Sequence, residues 1–191
     1  MKRRTFFPLF LAAGALLTVP VAQAKRWLKT VRDRKGFRVT GGADRAGRSI
    51  TLLEGDTFYT KVSTADSDGD VYVFESTREK KGGPALHYHF EQDEWWYVLQ
   101  GEFLFKVGDE TFTAKAGDSV FGPRMVPHAF AKTSEGEARL LMFYQPAGKM
   151  EAYFQALSQG AMAKMSDDEQ ASFRKAHGIV RTGPALAHLK Q

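Results

Sequence analysis

The stretch His87-Tyr88-His89-Phe90-Glu91-Gln92-Asp93-Glu94 decides how this chain is to be read. Alternate residues of a strand point to one face, so His87 and His89 can hold one ion together. Glu94 lies five positions beyond His89, an odd separation that would put it on the opposite face of a continuous strand. A turn over Phe90–Asp93 removes the conflict if Glu94 opens the next strand. Alternation then sends Glu94, Trp96 and Val98 inward, and Trp95, Tyr97 and Leu99 outward. Glu91, in the same acidic turn, is a second carboxylate that spacing alone leaves open. A third imidazole comes from His128, in Gly122-Pro123-Arg124-Met125-Val126-Pro127-His128, where Pro127 stiffens entry to a strand. These are three of the five histidines in the chain. A mixed imidazole and carboxylate set suits Fe, Mn, Ni, Co, Cu or Zn. It also leaves one or two coordination positions open, as catalysis at a metal requires. His177 and His188 lie far downstream and read as helix or surface residues.

Around this stretch the chain is a succession of short apolar or alternating runs between turn signals. Strands are expected near Phe37–Thr40, Ser49–Leu53, Phe58–Ser63, Val71–Thr77, Ala85–Phe90 and Glu94–Gln100. Five more follow, near Glu102–Val107, Glu110–Ala114, Ser119–Phe121, His128–Lys132 and Ala138–Gln145. Gly41-Gly42, Asp68-Gly69-Asp70, Gly82-Gly83-Pro84, Gly101, Gly117-Asp118 and Ser134-Glu135-Gly136 separate them, and Val107-Gly108-Asp109-Glu110 reads as a tight hairpin. So many short strands at this spacing imply a mainly β protein, a jelly-roll barrel or sandwich. The last part differs. Met150–Gln159, where Tyr153, Phe154 and Leu157 would share a helix face, and Ser166–Gly178 have helical composition, with a capping-box start at Ser166-Asp167-Asp168-Glu169 and a stop at Gly178. So short a segment buries little by itself, so residues 147–191 are expected to pack on a barrel spanning 37–146.

The N-terminus reads as an address. Lys2, Arg3 and Arg4 precede an apolar run from Phe6 to Val19. Pro20 and Ala22-Gln23-Ala24 follow, the layout of a signal peptide over residues 1–24. The paired arginines followed by Thr5-Phe6-Phe7 resemble a twin-arginine signal. Export to the periplasm or outside the cell is therefore expected. Residues 25–36 form a basic leader whose Trp27 could serve a homodimer contact. Removing 1–24 takes away three basic residues and no acid, so the formal charge of +5 falls to +2. A nearly balanced chain has no electrostatic case for nucleic acid, and no membrane contact is expected after cleavage. The absence of cysteine excludes disulfides, thiol catalysis and thiolate ligands.

Read as a longer pattern, His87-x-His89, four residues, Glu94, six residues, Gly101 is followed by Gly117, five residues, Pro123, four residues, His128. This resembles the two motifs of the cupin superfamily. Met125 stands where a glycine is common, and Lys132 where an asparagine is common. A closer resemblance is to small single-domain cupins of the quercetin 2,3-dioxygenase-like group. The resemblance implies a metal held by His87, His89, Glu94 and His128, with Glu94 also the base that takes a substrate hydroxyl proton. It implies a phenolic or enediol small molecule as substrate and dioxygen as co-substrate. Phe74, Trp96, Phe103, Phe105, Phe121, Phe130, Met142 and Tyr144 are candidates for the pocket wall, some of them as plain core. Because one fold hosts many functions, two other classes stand beside the dioxygenase. One is an exported protein that binds a small ligand or metal without turnover, and the other a non-oxidative enzyme such as an isomerase.

Overall fold

The computed structural model describes residues 35–52 and 55–186. The expected signal peptide, most of the basic leader with Trp27, Leu53 and His188 lie outside the described residues.

Among the described residues, eleven strands form two antiparallel sheets. The six-stranded sheet has the order β1 (Ile50–Thr51), β2 (Thr57–Val62), β3 (Tyr72–Arg78), β10 (Ala138–Gln145), β5 (Asp93–Gln100) and β8 (Ser119–Gly122). The five-stranded sheet has the order β11 (Ile179–Ala185), β4 (Ala85–His89), β9 (His128–Lys132), β6 (Glu102–Val107) and β7 (Glu110–Lys115). Consecutive strands β4 and β5 thus fall in different sheets, as do β5 and β6, which gives the jelly roll its two facing layers.

Alternation places the core. In β10, Ala138, Leu140, Met142 and Tyr144 are buried, while Arg139, Leu141 and Phe143 are half-buried on the other face. In β5, Glu94, Trp96 and Val98 are buried and Leu99 is exposed, as the odd-spacing argument requires. Phe103 and Phe105 of β6 meet Phe130 of β9 in the layer between, with ring centroids 6.1 and 5.7 Å from it. The β6–β7 hairpin pairs Val107 with Glu110 across Gly108-Asp109. Gly108 there has a φ of 58°, left-handed backbone that a glycine adopts without steric cost.

Two helices follow the barrel: α1 (Met150–Ser158) and α2 (Asp167–Ala176). α1 buries Met150, Tyr153 and Phe154, with Phe154 edge-on to Phe58 at 5.1 Å and to Phe74 at 5.5 Å. α2 starts on the expected capping box, Ser166 and Glu169 each bonding the other's backbone, and its burial is slight.

Two expectations need correction. Phe37–Thr40 is not a strand. Phe37 is 47% exposed and is covered by the Arg45 guanidinium, 4.0 Å from its ring centroid, so the run has no apolar face to bury in a sheet. The tail after α2 is not merely a helical extension. Once Gly178 (φ 86°) ends the helix, Ile179–Ala185 pairs antiparallel with β4 and becomes an edge strand of the barrel.

Candidate metal centre

Each proposed ligand is placed by backbone pairing. His87 and His89 share the inner face of β4, and His87 sits directly across from His128, the first residue of β9. The turn between β4 and β5 carries the chain from one sheet to the other, so Glu94 returns to the same interior from the opposite side. One ligand atom from each of His87, His89, Glu94 and His128 lies within 4.8 Å of every other. Glu91 is exposed, which settles the alternative that spacing left open in favour of Glu94.

Hydrogen bonds aim the imidazoles. His87 Nδ1 donates to the Ala85 carbonyl at 2.7 Å, and His128 Nδ1 to the Val126 carbonyl at 3.0 Å. A carbonyl only accepts, so both rings hold their proton on Nδ1 when neutral and turn an Nε2 lone pair inward. His89 is positioned by ring contacts instead, with His128 and Tyr144 each at 5.3 Å. The Nε2 atoms of His89 and His128 both stand 3.1 Å from Glu94 Oε2. For His128 this brings a nitrogen lone pair against a carboxylate oxygen, which is repulsive unless a proton or a cation lies between them. Ligands bound at about 2.1 Å and at right angles to one another are separated by about 3 Å, so the spacing fits a shared transition-metal ion. The donor set and its geometry therefore suit a metal ion that these four residues could hold.

The surroundings tune the charges. Burial lowers the His87 pKa to about 3, with the neighbouring His128 and His89 adding to the effect. Burial pushes the Glu94 carboxyl upward, but the hydrogen bonds and charge of His128 and His89, when those rings are protonated, outweigh it and hold Glu94 below the usual carboxylate range. Its second oxygen, Oε1, accepts a 2.6 Å hydrogen bond from the Tyr144 hydroxyl. Burial and the Glu94 charge keep the Tyr144 phenol well above its ordinary pKa. Behind His128 lies Gly122, where a Cβ would come within 2.7 Å of the Trp96 ring and 3.3 Å of His128 Nδ1. This close approach lets the indole lie under the ligand.

The site opens into a cavity of about 320 Å³. Of the residues expected to line it, Phe130, Met142 and Tyr144 do so, with His87, His89 and Glu94. Phe74, Trp96, Phe103 and Phe105 are buried but belong to the packed core behind it. Phe121 is corrected outright. It is 56% exposed, because in β8 the buried positions are Val120 and Gly122, and Phe121 takes the outer face.

Sequence reading missed most of the wall. Phe58 of β2, Met150, Tyr153, Phe154 and Leu157 of α1, and Ile179 and Arg181 of β11 all border the cavity, as do Arg174 of α2 and the ion pair of Arg78 with Asp56. The helical face of Tyr153, Phe154 and Leu157 was visible as an apolar stripe. The β11 residues were hidden by Gly183 and Pro184, which read as a break.

Residues 74–144 match the family model of the cupin domain. Over 61 residues the chain is 30% identical to an uncharacterised protein of Methanocaldococcus jannaschii, a match covering 32% of this chain and 49% of that one. The chain thus spans about half the length of that relative. Among solved structures, KdgF from Halomonas sp. superposes with a TM-score of 0.49 at 19% identity, over 58% of this chain and 94% of that one. An RmlC-like cupin from Shewanella frigidimarina gives 0.48 at 18% identity, over 63% and 99%. A predicted oxalate decarboxylase from Thermotoga maritima gives 0.47 at 19% identity, over 52% and 90%. The segment from Phe74 to Tyr144, which matches the cupin domain, carries all four candidate ligands.

Proposed function

We propose that this protein is an exported, metal-dependent dioxygenase of the quercetinase-like kind, acting on a phenolic or enediol small molecule. The observation that carries this reading is the placement of the ligand cluster. His87, His89 and Glu94 form part of the wall of a cavity otherwise lined mainly by aliphatic and aromatic side chains. A four-residue site that faces such a cavity has room for a substrate oxygen, and its apolar wall excludes water from the reacting group.

A bound divalent transition metal would supply Lewis acidity and a path for electrons between substrate and dioxygen. The chain's own residues supply the rest. His87 and His128 keep their inward nitrogens unprotonated by donating outward to carbonyls. Glu94 stays ionised and is the acceptor for the substrate's hydroxyl proton. Tyr144 donates to Glu94 Oε1, which holds the carboxylate in place and offers a second site through which the proton can pass. Phe58, Phe154 and Met142 give the flat apolar surfaces that an aromatic ring packs against.

The test is oxygen uptake by the mature protein, purified without a histidine tag and loaded in turn with Fe, Mn, Co, Ni, Cu and Zn, across flavonols and catechols. Uptake that disappears in Glu94→Gln supports the proposal. No uptake with any metal and any substrate would remove it and favour a binding protein or an isomerase. Export is tested separately, by fractionating cells that express the full chain. A periplasmic product beginning at Lys25 is expected, dependent on Arg3 and Arg4.

A further inference from the structure

The cavity carries positive charge that the ligand cluster does not account for. Arg78 is matched by Asp56 at 2.6 Å, so that pair is close to neutral. Arg174 and Arg181 also border the cavity, and neither is within salt-bridge distance of a carboxylate among the described residues. Arg174 donates to Gln170 at 3.4 Å, and Arg181 to the Gly183 carbonyl at 3.3 Å. Both are neutral acceptors.

The register of β11 explains how Arg181 comes to be there. Ile179 lies opposite His89, and Arg181 lies opposite His87. Directly opposed residues of an antiparallel pair project to the same face, so Arg181 extends the row of ligands toward the mouth. Arg174 arrives from α2, and its charge reaches the hydroxyl of Tyr153, another wall residue. The two arginines also border a second, smaller depression between α2 and β11, together with Lys175. Guanidinium groups on the wall of the same cavity as a cation site work against the cation by same-sign repulsion, and that cost is offset when an anion sits between the two.

We propose that the molecule accepted by this cavity is an anion, with a hydroxylated end at Glu94, an apolar middle against α1, and a carboxylate held at the mouth by Arg174 and Arg181. The inference rests on the metal-site reading above and adds the class of substrate to it. The planar guanidinium fork matches a carboxylate with two parallel hydrogen bonds. A neutral flavonol has no carboxylate for that end of the cavity.

The experiment is calorimetric titration of the mature chain with 3-(3,4-dihydroxyphenyl)propionate and with its methyl ester, which has the same apolar middle and catechol but no charge. With one equivalent of Mn(II), the acid is expected to bind about tenfold or more tightly than the ester. A carboxylate could instead seek the metal, so the pair is repeated after chelation. Preference for the acid then persists, although both bind more weakly. In the Arg174→Gln/Arg181→Gln double variant the preference falls to about one, with the ester unchanged. Arg174→Lys/Arg181→Lys restores part of it. Equal binding of acid and ester, no binding of either, or a preference lost on chelation but kept in the double Gln variant would each overturn the proposal. Failure of the metal site shows differently, as protein that takes up no metal yet keeps an arginine-dependent preference for the acid.

Discussion

The barrel interior is built from one set of strands and treated in two opposite ways. At one end Trp96, Phe103 and Phe105 fill the space between the sheets, each at most 1% exposed. At the other end the inward positions hold His87, His89, Glu94 and His128, and the space beside them is left open. The alternation is the same in both, so the pleat decides only that a residue points inward. What the interior does depends on whether the inward side chains are large enough to meet across it. The packed end is a hydrophobic core with the usual sensitivity to lost volume. The open end holds polar groups that depend on one another and that could hold an ion.

That contrast can be broken most forcefully from the packed side. Phe105→Ala is expected to cost about 3–5 kcal/mol of unfolding free energy, read by denaturant titration, while the folded fraction keeps its metal. On the open side the order reverses. His128→Ala is expected to lower metal affinity by on the order of 100-fold or more, since changes even outside the ligand shell cost 10–100-fold. Elemental analysis and competition with a chelator check this, and stability of the metal-free form should change far less than in Phe105→Ala. If both substitutions cost the same stability and neither affects metal, the division into two ends is wrong.

Acid sharpens the same comparison. His87 binds its proton only near pH 3 in the folded, metal-free protein, against about 6.5 in an unfolded chain. Below about pH 6.5 the unfolded state therefore holds more protons, and stability falls as pH drops from there toward 3. The slope from this one group is at most about 1.4 kcal/mol per pH unit. Glu94 acts in the same direction lower in the range, because its lowered pKa gives stability that is present above the ordinary carboxylate range and lost below it. Denaturation at a series of pH values, with and without metal, checks the sign. A metal-free protein that grows more stable on acidification would contradict it.

Smaller effects belong to the outside. Met125 holds a φ of 64°, in the left-handed region where a side chain costs about 1–2 kcal/mol. Met125→Gly is therefore expected to stabilise the fold by up to about 1 kcal/mol, since glycine also loses more chain entropy. This accounts for the glycine common at that position of the motif. Phe121→Ser on the outer face should move stability by no more than about 0.5 kcal/mol and leave metal content unchanged. A large loss would return Phe121 to the interior.

How far the sequence could be read follows from which residues carry local patterns. His87 and His89 announce a shared face by their spacing, and the Phe90–Asp93 turn was needed to bring Glu94 to them. Most strands from β2 to β10 were legible within a residue or two, because apolar alternation and glycine breaks are local signals. β11 was not. Ile179-Val180-Arg181 is too short to show a period before Gly183 and Pro184 interrupt it, and its strand character comes from the free edge of β4. The wall from α1 was half legible. Tyr153, Phe154 and Leu157 were seen as one helix face, but not as facing the ligands. Phe121 was misplaced because one residue of register in a four-residue strand reverses the face, and so short a run does not reveal it.

By itself, then, the sequence determined the candidate ligand types, their order and the class of fold, because those depend on side-chain chemistry and on periods of two residues. Only the tertiary structure decided that β4 and β5 lie in opposing sheets, so that Glu94 meets His89 and His128 across the interior at 3.1 Å. It alone brought Arg174 and Arg181, 80 or more positions downstream of Glu94, to the mouth of the same cavity. Such meetings are set by which edges pair and which faces must be covered, and those are properties of the packed chain rather than of any stretch of it.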